Sequence, residues 1–346
     1  MRILVADTFP EGPRAELAEQ GHECRYEPGI TARSLSERLA DCSPEVLIVR
    51  STPVSSADLA QAEGLRLVIR AGSGTNTIDC ATAAEQGVYV CNVPGRNAVA
   101  VAELAFGLLL ALDRNIPDNV ADLRTGRWDK RRYASARGIC GRKVGVLGLG
   151  NIGLAFAERA RAFGAEVYSV TKPDRSAEAL WRATELGINF VDDLPALARA
   201  CDVLSLHLPA TAATHRLVNR DILELMAEGT IVLNTARAEL VDEQALLEAM
   251  DTKGLRVGVD VYADEPGASS GTITSRLAEH PNCYGTHHIG ASTEQAQHAV
   301  AAEVVRMVGA FESGTLPNCV NLDKVRGAQQ PPHTRLVSVS SPGGAR

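Results

Sequence analysis

Short apolar runs alternate with segments of helical periodicity along most of this chain. The runs predict strands over 2–6, 45–50, 66–71, 88–93, 144–149, 167–171, 202–207, 230–234 and 256–261. They are rich in Val, Ile and Leu at successive positions, so both faces of each strand are apolar. Strands sandwiched between helices in a parallel sheet need that pattern. Helical periodicity over 153–163, 242–251 and 292–312 falls between or after the runs. The alternation predicts an α/β fold with doubly wound parallel sheets.

The series occurs twice. A first set ends near residue 93, a long helix from about 97 leads to a second set starting near 144, and the final helix is long enough to return to the first domain. The expected division is one domain of 1–96 with 293–325, a second of 97–292, and a flexible tail, 326–346, rich in Pro, Gly and Ser. At 346 residues the chain is comfortable for two domains. The longest apolar stretch, 98–112, contains Glu103 and is too short to span a membrane, so it reads as a buried helix.

Composition adds exclusions. The chain is 45% hydrophobic and 22% charged, ordinary for a globular enzyme, and its formal charge of −7 argues against general nucleic-acid binding. The run 123–143 is a local exception, with eight Arg or Lys and one Asp. It reads either as a solvated loop and helix end or as an anion-binding surface. The eight cysteines are scattered without a CxxC pair, which points to reduced thiols in a cytoplasmic protein with no metal site. The opening MRILVAD ends an apolar run with an acid and reads as a first strand, not a signal peptide.

The strongest local signal is KVGVLGLGNIGLAFAERARAFG. Gly148, Gly150 and Gly153 form G-x-G-x-x-G after a strand and before a helix. The first glycine permits a tight turn, the second lets a pyrophosphate approach the backbone, and the third brings helix and strand together. The helix N-terminus offers N–H groups and positive potential to phosphates. A purely structural glycine turn is the alternative.

Three further stretches carry chemical groups. Arg237 follows a strand in VLNTARAELVDE, Asp260 and Glu265 lie in GVDVYADEP, and His287 and His288 lie in GTHHIGAST. Singly, each has an ordinary explanation as a surface cation, an exposed acid or a solvated histidine. Together they match what reduction of a 2-keto acid requires besides a hydride donor. A histidine titrates in the useful range for moving the proton, a carboxylate fixes its tautomer, and an arginine grips a carboxylate with a planar fork.

With VRSTPVS, RAGSGTNTID, NVPGRNAVAVAEL, GRWDKRRY and HHIGASTEQAQ added to these stretches, the chain resembles the D-isomer-specific 2-hydroxyacid dehydrogenases over roughly 1–323, and within them the phosphoglycerate branch. The resemblance implies a flavodoxin-like substrate domain and a Rossmann dinucleotide-binding domain. It implies Arg237, Glu265 and His288 as the catalytic set. It places Asn151, Ile152, Leu208, Pro209, Thr235, Ala236, Asp260, Gly290 and Ala291, with the three glycines, at an NAD or NADP cofactor. Ser73, Gly74 and Asn97 would line the substrate carboxylate, and Arg50, Arg70 and Arg132 would meet a second anionic group. The implied substrate is 3-phosphoglycerate/3-phosphohydroxypyruvate or a similar phosphate- or phosphonate-bearing acid. A glyoxylate/hydroxypyruvate reductase is the alternative, and a nucleotide-sensing corepressor the reading from another class. A homodimer or dimer of dimers is implied, with no nucleic-acid or membrane partner.

Four positions depart from the family pattern. Ala238 and Glu239 follow the arginine where a glycine is usual first, and His287 replaces the usual proline. The chain has no room for an extra C-terminal regulatory domain, so no serine-feedback module is expected. Thr171 stands 23 positions after Gly148, where an acid usually grips the ribose 2′-hydroxyl. With that acid replaced and Lys172 and Arg175 beside it, acceptance of NADP is expected.

Overall fold

The computed structural model describes residues 1–30, 34–266, 270–325 and the backbone of 337–339. The chain divides into two compact units, Met1–Asn97 with the segment from Thr293 onward, and Ala98–Ser292.

The first unit holds strands β1 (Arg2–Val5), β2 (Glu23–Tyr26), β3 (Val46–Val49), β4 (Leu67–Arg70) and β5 (Tyr89–Asn92) in the order β2-β1-β3-β4-β5, all parallel. This is the flavodoxin-like order, with its switch point between β1 and β3. Alternation along the strands splits the core. Ile3, Val5, Ile48 and Ile69 face one way, onto Val300, Val304, Val308 and Phe311 of the helix Glu294–Glu312. Leu4, Leu47, Val49 and Val68 face the other way, onto Leu35, Leu39 and Leu59. The helix Glu294–Glu312 starts where Thr293 accepts a bond from the Ala296 N–H, an N-cap that relieves one unpaired donor.

The second unit holds β6 (Lys143–Leu147), β7 (Glu166–Val170), β8 (Asn189–Val191), β9 (Val203–Leu206), β10 (Ile231–Asn234), β11 (Arg256–Val259) and β12 (Cys283–Gly285). Their order is β12-β11-β10-β9-β6-β7-β8, a Rossmann arrangement with a seventh strand added at one edge. The helix Ala98–Arg114 buries Ala105, Leu109 and Leu112 on one face of this sheet, beside Phe156 of the helix Asn151–Ala162. Complete burial of a side chain such as Phe156 is worth about 1.5–3 kcal/mol. Leu147, Leu204, Leu206, Val232 and Val257 face a second core on the opposite side.

The nine expected strands are all present. β2, β8 and β12 are additional, and each is the outermost strand of its sheet. The predicted tail, 326–346, lies outside the described residues except for Val337–Val339, which pair in parallel with Thr315–Pro317. All eight cysteines are free thiols. Among the described residues no helix is long and apolar enough to cross a membrane, and no cluster of side chains could hold a metal ion.

Candidate active site

In the second unit the chemistry gathers at the carboxyl edge of the sheet. Register sets Leu147, Leu206, Asn234, Val259 and Gly285 beside one another across neighbouring strands. Gly148, His207, Thr235, Asp260 and Thr286 therefore emerge at one level, which is where ligands bind open α/β sheets.

The three glycines differ in what they do. Gly148 has φ +102, and a Cβ there would stand 2.4 Å from the His207 carbonyl oxygen. A Cβ on Gly153 would stand 1.8 Å from the Gly148 oxygen. Gly150 has nothing within 4 Å of its Cβ direction, so the space above it is open. The helix Asn151–Ala162 begins there without a side-chain cap. Beneath the turn, Ser205 Oγ meets His207 Nε2 at 2.8 Å and the ring lies 5.2 Å from Phe156. Burial pushes the His207 pKa down to about 3, so this ring is neutral at physiological pH.

The next strand leads into the turn with the unusual threonine. The Thr171 N–H donates to Val191 O at 2.8 Å. Arg175 is tethered, donating to Val170 O at 2.8 Å with its guanidinium 5.4 Å from the Phe190 ring centre. Lys172 is mostly exposed and pairs loosely with Asp174 at 3.4 Å. Lys172 is thus the less tethered of the two cations. On the neighbouring strands Leu208 packs toward Gly148 and Pro209 is exposed. Thr235 is buried, and its hydroxyl has no protein partner among the described residues. An orphaned buried hydroxyl level with an open glycine turn fits a bound polar cofactor.

Asn234, only 3% exposed, shapes the arginine turn. Its Oδ1 accepts from the Ala236 N–H at 3.1 Å and its Nδ2 donates to Arg237 O at 2.8 Å. The Arg237 guanidinium donates to the Ala236 carbonyl at 2.6 Å. Ala238 and Glu239 begin a short 3-10 turn, Ala238–Leu240.

Asp260, 1% exposed, holds the histidine loop. Oδ1 accepts from Thr286 Oγ1 at 2.6 Å and the Ile289 N–H at 2.8 Å, and Oδ2 accepts from the Gly290 N–H at 2.8 Å. The Asp260 carboxylate, on a residue the sequence places at the cofactor, also holds the loop at Ile289 and Gly290, just before Ala291. That grip supports His288 at φ +51, a conformation uncommon for a residue with a side chain. His288 Nδ1 lies 2.6 Å from Glu265 Oε2, and Glu265 Oε1 accepts from the Tyr262 N–H at 2.8 Å. An ionised carboxylate only accepts, so Nδ1 carries the proton and Nε2 is left for proton exchange. His287 is exposed.

The substrate candidates of the first unit stand at the carboxyl ends of its strands. Arg50 follows β3, and Asp7 Oδ2 accepts from the N–H groups of Arg50, Ser51 and Thr52 at 2.6, 3.0 and 3.1 Å. The Arg70 guanidinium lies against Gly72 so closely that a Cβ there would meet Nη1 at 1.5 Å. Asn92 donates to Ser73 O at 2.5 Å, and Ser73 Oγ donates to Asn97 Oδ1 at 3.3 Å. Among the described residues the N–H groups of Ser73 and Gly74 have no protein acceptor, which suits an anionic oxygen. Arg132, in the second unit, pairs with Asp122 at 3.2 Å, as does Arg127 at 2.5 Å. Asp7, Asn92 and Asn234 are the positioning residues that sequence reading misses. Each acts on backbone, so only a polar residue at a strand end hints at it.

A sequence model of the D-isomer specific 2-hydroxyacid dehydrogenase NAD-binding domain matches residues 106–290, more than half of the chain. The chain belongs to the D-isomer-specific 2-hydroxyacid dehydrogenases. It is 36% identical over 330 residues to a D-3-phosphoglycerate dehydrogenase of Methanocaldococcus jannaschii, covering 94% of this chain and 60% of that protein. It is 38% identical over 268 residues to a hydroxypyruvate reductase of Thermotoga maritima, covering 76% of this chain and 83% of that protein. The fold matches a glyoxylate reductase of Paecilomyes thermophila with a TM-score of 0.80 at 25% identity, covering 93% of this chain and 99% of the other. The chain spans about 60% of the length of the phosphoglycerate dehydrogenase it matches. Residues 106–290 match the family's NAD-binding domain.

Proposed function

We propose that this protein interconverts a D-2-hydroxy acid and its 2-keto acid, with NAD or NADP as hydride carrier. The His288–Glu265 pair at 2.6 Å, on the same sheet edge as the glycine turn, carries the reading. The bound nicotinamide supplies or accepts the hydride. His288 Nε2 gives a proton to the 2-oxygen on reduction and takes it back on oxidation. Glu265 holds the ring, while Arg237 leaves the Ala236 carbonyl to bind the substrate carboxylate and polarise the carbonyl. In the first unit, Ser73, Gly74 and Asn97 are proposed as carboxylate-binding residues. The experiment is NAD(P)H oxidation with a panel of 2-keto acids. No turnover with any of them, alongside tight coenzyme binding, would favour a corepressor-like role.

The favoured substrate is 3-phosphohydroxypyruvate or a similar acid with a phosphate or phosphonate group. Arg50 and Arg70 are proposed to bind that second anion, assisted by Arg132, and the identity to phosphoglycerate dehydrogenases supports this. Changing Arg50 or Arg70 to Ala is expected to raise KM for phosphohydroxypyruvate about tenfold or more, the scale of a lost hydrogen bond to a charged group of about 1.5–3 kcal/mol. KM for hydroxypyruvate should hardly change. Equal losses on both substrates would assign the two arginines to structure or to the shared carboxylate. Efficient use of hydroxypyruvate by the wild type, with no gain from phosphate, would favour the hydroxypyruvate reductase alternative.

For the coenzyme, the threonine at 171 removes the acid that would repel a 2′-phosphate, and Lys172 is exposed and only loosely paired. NADPH is therefore expected to be accepted alongside NADH. Lys172→Ala with Arg175→Ala should weaken NADPH by about 1–3 kcal/mol and leave NADH nearly unchanged. The check is kcat/KM for both coenzymes. A hundredfold preference of the wild type for NADH would overturn this expectation.

A further inference from the structure

In the first unit the segment after Thr315–Pro317 returns to the edge of the sheet and runs antiparallel to β5. Cys91 and Cys319 stand directly opposite each other there. The flanking bonds define the kind of pair. The Asn92 N–H donates to Asn318 O at 3.3 Å, and the Val320 N–H donates to Val90 O at 2.8 Å. Both bonds lie outside the cysteines, so Cys91 and Cys319 form the non-hydrogen-bonded pair of the ladder. In such pairs the Cα atoms are about 4.5 Å apart and the side chains project to the same face at closest approach. Disulfides bridge Cα separations of about 4.4–6.8 Å.

The register is pinned. Asn321, 2% exposed, accepts from the Val90 N–H at 2.9 Å and donates to Val88 O at 2.9 Å, so the segment does not slip along β5. The partners also differ in access. Cys91 is 1% exposed and Cys319 is half-buried.

We propose that Cys91 and Cys319 are a modification site, a dithiol that a peroxide converts to a disulfide locking the segment 318–320 onto β5. The Cys319 thiolate is the attacking group. The neighbouring Cys91 thiol, with backbone groups of Asn321, Val90 and Leu322, lowers the Cys319 pKa against the effect of burial, while the Cys319 thiol itself donates to Asn321 Oδ1 at 3.4 Å. The nearness of Cys319, with burial, pushes the Cys91 thiol up and keeps it protonated. Cys319 sulfur attacks the peroxide, an S–O bond forms and the O–O bond breaks. The hydroxide that leaves takes a proton and departs as water. Cys91 sulfur then attacks Cys319 sulfur, the S–S bond forms, the S–O bond breaks, and a second water carries off the Cys91 proton. Two thiols are oxidised and one hydrogen peroxide is reduced to two waters.

The full-length protein treated with one equivalent of hydrogen peroxide tests this. Titratable thiols after denaturation should fall from eight to six, the intact mass should drop by two hydrogens, and peptide mapping should join the Cys91 and Cys319 peptides. The denaturant midpoint should rise, and dithiothreitol should reverse every change. Cys319→Ser should abolish the link, and Cys91→Ala should do so too. Mapping of the wild type stands even if the buried variant fails to fold. Oxidation of Cys319 to a sulfinic or sulfonic acid with Cys91 still titratable would overturn the proposal. So would a Cys80–Cys319 link, or a linked pair whose midpoint does not move.

Discussion

Replacing His288 with Ala is expected to lower kcat at least about a hundredfold, the lower end for loss of a general acid–base. The expectation rests on geometry. Glu265 is anchored by the Tyr262 N–H and accepts a hydrogen bond from His288 Nδ1–H, so Nε2 is the atom left to serve the substrate. The Asp260 grip on Thr286, Ile289 and Gly290 keeps the ring in place without taking part in the reaction. Arg237→Ala should cost a similar factor, because its planar fork has no replacement among the groups of the arginine turn. Glu265→Ala should cost less, because it acts through His288. Steady-state kinetics with the best keto acid of the panel, alongside circular dichroism to confirm folding, decides the matter. Wild-type turnover in His288→Ala would move the role to His287, which is exposed on the same loop.

Gly153→Ala is expected to damage coenzyme binding and stability together, whereas Gly150→Ala should damage binding alone. At Gly153 the new methyl would stand 1.8 Å from the Gly148 carbonyl oxygen, a backbone atom that no rotamer change can move. The helix Asn151–Ala162 would have to lift off β6, loosening the packing around Phe156. Overpacking of this kind costs about 1–3 kcal/mol. The same displacement moves the helix N-terminus, so coenzyme KM should rise about tenfold or more, since about 1.4 kcal/mol is a factor of ten. At Gly150 the methyl meets nothing within 4 Å, so the fold should keep its melting temperature. The methyl would instead occupy space over which the pyrophosphate approaches. Melting curves and coenzyme KM for both variants separate the two roles. An unchanged coenzyme KM in Gly150→Ala would mean that the pyrophosphate does not approach at this glycine.

Most expected strands are buried on both faces, though β7 alternates. Val46–Val49 is buried at every position, as are Val203–Leu206 and Ile231–Asn234. Full burial demands a mostly apolar run, which a sequence displays directly. The three strands of the two large sheets that escaped notice are sheet edges. β2 alternates exposed and half-buried residues, and β8 is mostly exposed. Such strands form because a neighbour offers unpaired N–H and C=O groups, not because their own side chains demand burial.

The candidate site divides in the same way. The glycine turn is legible because its requirements are local, a positive φ at Gly148 and no side chain at Gly153. Arg237, Glu265 and His288 stand out as residue types suited to one chemistry. Their supports do not. Asp7 reaches the backbone of Arg50, Ser51 and Thr52, and Asn92 reaches Ser73, because strands far apart in the chain end side by side. That Asp260 also holds the loop at Thr286, Ile289 and Gly290 is not visible in the sequence.

By itself, then, the sequence determined the class of fold, the positions of the central strands, the dinucleotide turn and the kinds of groups available for chemistry. These follow from periodicity, burial and backbone conformation, which act over a few residues. Only the tertiary structure decided that Glu265 meets His288, that Asp260 serves the loop, and that Cys91 faces Cys319. Those pairings depend on strand order and register, which arise from packing between distant segments and leave no periodic trace along the chain.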